Sequence, residues 1–243
     1  MNTVDLLFIV DVTGSMSGFI SDAKQKMKFV LSSLKKQFEI DLKVGLSLYR
    51  DHLSQDTSFV TAVFDLASID EVKDKIDKIT VGGGGDHPEA VIDGIIDGIT
   101  DMKWREDSRR IAFLIGDAPA HGMIYGESCC QCGQTWGKAV ACAEKHKVTI
   151  YSILLSGDEQ ARLNFKLISN FTGGLLIESD NAMDVIVNTL TTEFGNVNLD
   201  SKILEMMANK FSNEDICKML NVDRDELADS KSRIAQYAST VLI

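Results

Sequence analysis

Apolar and polar positions follow two rhythms along the chain. Short runs rich in β-branched and aromatic residues lie over 5–12, 41–49, 58–65, 110–116, 147–155 and 174–178, and each reads as a strand. Between them, apolar residues recur at helical spacing over 18–37, 69–79, 88–100, 133–146, 159–171 and 182–194. In the first of these helices Phe19, Ala23, Met27, Val30, Leu31 and Leu34 form one apolar stripe suited to packing on a sheet. Runs one, four and five (LLFIVDV, IAFLI, VTIYSILL) are apolar without alternation, as expected of strands buried on both faces, so they should form the middle of the sheet. Strands alternating with helices predict an α/β fold: a doubly wound, mostly parallel six-stranded sheet with helices on both faces. The polar run 49–57 turns the chain, and the strand after it, 58–65, is expected as the one antiparallel edge.

After residue 198 the rhythm changes. Residues 199–243 read as three short helices with no strand, the second opened by Ser212 with Glu214 and Asp215 in its first turn. The expected organisation is therefore a 1–198 α/β domain followed by a small helical appendage over 199–243. Residues 211–227 (FSNEDICKMLNVDRDEL) resemble a helix-turn-helix. Residues 199–243 hold eight acids against six bases, which suits helical packing or docking into a larger complex better than contact with nucleic-acid phosphates.

Composition narrows the class. The formal net charge is -11, from 36 acidic and 25 basic side chains, which argues against a general nucleic-acid binder and favours cations or basic partners. The apolar run Leu6-Leu7-Phe8-Ile9-Val10 is five residues, where a membrane span needs about twenty, so no membrane partner is expected. Five cysteines, an odd number with three bunched at Cys129, Cys130 and Cys132, do not form a disulfide framework. A reducing, cytoplasmic setting is the expectation.

The candidate chemistry sits at strand ends. The first strand leaves through Asp11-Val12-Thr13-Gly14-Ser15-Met16-Ser17, a carboxylate and hydroxyls at every second residue. The fourth strand ends in Asp117 in the same way, and adjacent parallel strands would bring the two acids together at the edge where open α/β sheets bind ligands. Two such carboxylates call for a cation between them or a proton on one. The loop Gly82-Gly83-Gly84-Gly85-Asp86-His87-Pro88-Glu89 carries no side chains over its first four positions, so it can approach closely, and Pro88 suits a first helical turn. Each segment alone is equally consistent with a cap, a turn or a flexible connection. All three in order at the ends of the right elements point to a hard-oxygen site for Mg²⁺ or Mn²⁺, one per chain.

DVTGSMS resembles the DxSxS signature of the von Willebrand factor type A domain with its metal-ion-dependent adhesion site, and IGDAPAHG resembles that family's later aspartate motif. The resemblance covers about residues 1–198. It implies Asp11, Thr13 and Ser15 as metal ligands, with Asp117 near the ion, and binding rather than catalysis: an acidic side chain of a protein partner completes the coordination. It also implies a partner-facing surface on the loop tips, including Ser17, His87, Glu89 and His121. The family's usual middle-loop threonine is missing here, and Asp86 is the natural substitute. The GGGDxPE pattern is similar to a branch found in intracellular proteins, among them those linked to atypical alpha-kinases.

Other signals are thinner. Cys129, Cys130, Cys132 and Cys142 offer soft ligands for zinc, but no second CxxC or HxxxH pair accompanies them, which counts against zinc. A dehalogenase-type phosphatase needs an acid where Thr13 stands, and no GxxxxGK[ST] or strand-linked GxGxxG loop is present. A metal-dependent hydrolase, or a DNA-associated regulator acting through the tail, stays as an alternative to the interaction module.

Overall fold

The computed structural model describes residues 3–37, 41–52, 58–178, 192, 195–196 and 199–241. Its elements run β1 (Thr3–Asp11), α1 (Ile20–Gln37), β2 (Asp41–Tyr49), β3 (Thr61–Ala67), α2 (Ile69–Asp77), α3 (Val91–Thr100), β4 (Arg109–Gly116), α4 (Trp136–Lys145), β5 (Val148–Leu154), α5 (Glu159–Phe171) and β6 (Leu176–Ile177). The strands form one six-stranded sheet in the order β3-β2-β1-β4-β5-β6. Every neighbouring pair is parallel except β2 with β3. This is the doubly wound α/β architecture with one antiparallel edge.

The continuous apolar runs are explained by burial on both faces. From β1, Leu6, Phe8 and Val10 pack with Met27, Leu31, Val72 and Ile76 under α1 and α2. Leu7 and Ile9 point the other way, against Ile92, Ile95, Phe165 and Ile168 of α3 and α5. Glycines bring α3 close to β2: a Cβ on Gly94 would lie 2.8 Å from the Tyr49 ring and one on Gly98 2.7 Å from Ser47 Cβ.

Several boundaries differ from the sequence reading. The strand expected over 58–65 is Thr61–Ala67, and the sixth strand shrinks to Leu176–Ile177. The helix expected to open at Pro88 opens at Val91, because Glu89 is engaged in a bridge with Ala120 and Ala90 N donates to Arg50 O. The helix expected from 133 starts at Trp136, where Thr135 Oγ1 accepts from Lys138 N. A short 3-10 turn, Ser15–Gly18, precedes α1, so Phe19 falls outside the helical stripe and is 39% exposed, while Ala23, Met27 and Leu31 are buried. The side chains at 30 and 34 lie outside the described set, as does the helix expected over 182–194 apart from residue 192.

Three helices follow: α6 through 199–208, α7 (Asn213–Leu220) and α8 (Arg224–Val241). Ser212 caps α7 by accepting from Asp215 N, and Asn221, left-handed at φ 53°, ends it. The last helix is 18 residues long rather than short. Ile203, Ile216 and Leu227 form a small core of their own. Among the described residues no helix is long and apolar enough to cross a membrane.

Candidate metal centre at the C-terminal edge of the sheet

β1 and β4 pair in parallel up to Val10 and Ile115, so Asp11 and Asp117 emerge side by side from the sheet. The turn after β1 then folds its hydroxyls back. Thr13 N and Oγ1 both donate to Asp11 Oδ1, at 2.9 and 2.6 Å. Thr13 Oγ1 lies 3.1 Å from Ser15 Oγ, which donates to Asp117 Oδ1 at 3.0 Å. Four oxygen-bearing side chains from two strands thus form one chain, with Asp11 fully buried and Ser15 facing solvent.

The middle loop is strapped across this turn by its backbone. Gly82 N donates to Val12 O, Gly14 N to Gly83 O, and Glu89 N to Pro119 O. Gly84 adopts φ 79°, and a Cβ there would lie 3.0 Å from Glu89 Oε1 and 3.4 Å from Thr13 Cβ; glycine leaves the space that Glu89 uses to reach the site. Glu89 is 3% exposed. Two carboxylate oxygens in this group, Asp11 Oδ2 and Glu89 Oε2, are buried without a hydrogen-bond partner.

Burial pushes the Asp11 carboxyl up to about 7, against the hydrogen bonds from Thr13 that favour its charge; the nearby Tyr49 hydroxyl pulls the same way but least of all. Burial, then the charges of Asp11 and Asp51, push Glu89 up to about 9. Asp117 is also raised by burial, although Ser15 opposes the rise. Several acids held together out of water, with two oxygens unsatisfied, are the donor set that a hard divalent cation fits.

A family model of the von Willebrand factor A domain matches residues 5–181. The chain belongs to that family. Over 123 residues, half of the chain, this A domain protein is 39% identical to the alpha-protein kinase vwkA of Dictyostelium discoideum, and it spans 19% of that relative. The pilus adhesin SpaC of Lactobacillus rhamnosus GG, in its open conformation, superposes with a TM-score of 0.55 at 14% identity, covering 81% of this chain and 30% of the adhesin. Proximal thread matrix protein 1 of the mussel byssus, in a structure with a zinc-occupied MIDAS motif, gives 0.53 at 15% identity, covering 77% of this chain and 45% of the other. A domains are mainly interaction modules.

The other residues singled out in the sequence fall in different places. Ser17 is exposed, and His87 is exposed with Nε2 2.8 Å from Asp158 Oδ2 at the start of α5. Asp86 is exposed and turned to His121, whose Nε2 lies 3.4 Å from its Oδ1. His121 is 2% exposed and Glu89 nearly as buried, so in the isolated chain these two side chains lie inside the loop cluster. Cys129 is exposed and Cys142 packs against the core beneath α4, so neither joins Cys130 and Cys132, which are bonded to each other.

A second cluster adjoins the first, and sequence reading missed most of it. Asp51 and His52 follow β2, Asp93 sits in the first turn of α3, and His121 follows β4. His52 Nε2 lies 3.2 Å from Asp93 Oδ2, and His121 Nε2 lies 3.2 Å from Asp51 Oδ1. The available signal was that β2 runs parallel to β1, so that its exit, Asp51-His52, had to arrive at the same edge as Asp11.

Proposed function

We propose that this A domain is a divalent-metal-dependent protein-interaction module. Asp11, Thr13, Ser15 and Asp117 are its MIDAS-type oxygen donors for Mg²⁺ or Mn²⁺, and a partner's acidic side chain is what the site receives. The observation that carries this reading is the unbroken chain Asp11–Thr13–Ser15–Asp117, with contacts of 2.6, 3.1 and 3.0 Å, beside two buried carboxylate oxygens that lack partners. A bound ion supplies the positive charge that these acids lack and that a partner carboxylate seeks. Ser15 and Ser17, both exposed, leave the donor set open to solvent on the side a partner would approach.

Glu89 is the middle-loop carboxylate assigned to this ion in preference to Asp86. Its Oε1 reaches the Thr13 side through the gap at Gly84, whereas Asp86 is spent on His121. Hard oxygen donors favour Mg²⁺ or Mn²⁺ over zinc here, although the mussel relative holds zinc at its MIDAS. The GGGDHPE loop and the likeness to the kinase-named vwkA support placing the chain in the intracellular branch, in the cytoplasm. The acidic C-terminal helices suit docking into a larger assembly rather than contact with DNA.

A thermal-shift titration tests the metal. Mg²⁺ at about 100 times its Kd adds about 2.7 kcal/mol to the native state. The wild type should melt higher in millimolar Mg²⁺ and Asp11→Ala should not; equal shifts in both would overturn the proposal.

A further inference from the structure

The geometry points to a second metal centre, distinct from the first and of zinc type, in which His52, Asp93 and the reduced thiols of Cys130 and Cys132 are the ligands. One ligand atom from each of these four lies within 4.8 Å of every other. They come from three separate stretches, the exit of β2, the first turn of α3 and the loop between β4 and α4. Two sulfurs, an imidazole and a carboxylate form a tetrahedral donor set that zinc prefers to magnesium or calcium. His52, Asp93 and Cys130 are 5%, 7% and 3% exposed, and only Cys132 reaches the surface, so an ion would be held with one side open for entry.

Two observations indicate a ligand rather than chance proximity. Cys132 Sγ lies 2.7 Å from Asp93 Oδ1. Asp93 therefore faces two of the other candidate ligands at once, with Oδ1 toward Cys132 and Oδ2 toward His52 Nε2 at 3.2 Å. Moreover, His52 Nδ1 is buried without a hydrogen bond, as are Asp51 Oδ2 and His121 Nε2 behind it. Asp51 Oδ1 stands 3.5 Å from that Nδ1, on the far side of the ring from Asp93, where a carboxylate orients a ligating histidine. His121 and Glu127 extend the line at 3.2 and 3.3 Å.

The Cys130–Cys132 bond must be open for this site to load. A dithiol or phosphine reductant supplies two electrons, two protons are taken up, and each sulfur becomes a thiol. Zinc then displaces both thiol protons as the two S–Zn bonds form. Loaded, the ion would clamp the 118–134 loop to α3 and to the exit of β2. That loop pairs with Glu89 through the Ala120 bridge, so the second ion would steady one wall of the first site.

The 243-residue chain, reduced with a phosphine and freed of metal, should take up Co²⁺ with a sulfur-to-metal charge-transfer absorption, and about one zinc per chain should survive desalting. Cys132→Ser, at an exposed position that leaves the core intact, should lose both signals, and His52→Ala should lose the retained zinc. Asp11→Ala should keep both, which separates this centre from the first and makes it independent of the function proposed above. Absence of the thiolate band in the reduced wild type, zinc retention by Cys132→Ser equal to wild type, or loss of zinc in Asp11→Ala would each overturn it.

Discussion

Asp11 and Glu89 occupy positions where an uncompensated charge works against folding. Both are buried, each bears an oxygen without a partner, burial raises the pKa of each, and the Asp11 charge raises that of Glu89 further. Relieving that crowding should stabilise the metal-free protein: Asp11→Asn is expected to melt a few degrees higher than wild type in chelator, about 1 kcal/mol, while losing the response to Mg²⁺. Calorimetry with and without Mg²⁺ reads both effects, and a lower melting point in chelator would contradict the crowding. The middle-loop assignment separates two acids three residues apart in sequence. Glu89→Gln should weaken Mg²⁺ at least ~10-fold and Asp86→Asn should leave it near wild type, measured by titration calorimetry. The reverse ranking would return the ligand role to Asp86.

At the scale of elements, the site depends on how loops are anchored to rigid neighbours. Asp158 caps α5 by accepting from Ala161 N at 2.6 Å and also holds His87 of the glycine loop at 2.8 Å. Burial raises its pKa, but those hydrogen bonds and the His87 charge outweigh it, and the net shift is downward. A depressed carboxylate contributes stability that is present above its unfolded pKa and lost as the pH falls through the folded one. Asp158→Ala should therefore cost about 1 kcal/mol at pH 7, and the gap from wild type should narrow below the ordinary aspartate value of 3.8, as urea melts at the two pH values will show. The close approach of α3 to β2 has no such dependence on pH. Gly94→Ala would drive a Cβ to 2.8 Å from the Tyr49 ring and should cost about 1–3 kcal/mol at any pH.

At the scale of the molecule, the apolar residues among those described gather in three groups: one on each face of the sheet and a small one among α6, α7 and α8. The helical group also holds Arg233 bonded to Asp200 at 2.9 and 2.7 Å, which ties α8 to α6. Because, among the described residues, Ile203, Ile216 and Leu227 share no core cluster with the sheet, damage there should stay there. Leu227→Ala is expected to destabilise the helical group by about 2 kcal/mol, seen as lost helical signal on heating, while the Mg²⁺ shift of the A domain is unchanged.

Local pattern was enough to read the alternation of strand and helix, the antiparallel edge and the arrival of Asp11 and Asp117 at one end of the sheet. Each follows from periodicity and from strand direction, which are properties of neighbours along the chain. The convergence at Asp51, His52, Asp93, His121 and Cys132 was not readable in that way, since these residues lie on three segments whose meeting depends on strand order and on the path of the β4–α4 loop. The burial of Glu89 likewise depends on its bridge to Ala120, a pairing between residues 31 positions apart with no periodic signature. Sequence spacing carries the chemistry that one strand delivers. Which carboxylate turns inward, and which histidine meets which cysteine, is settled by packing across the sheet edge, where backbone pairing leaves each side chain a single direction to point.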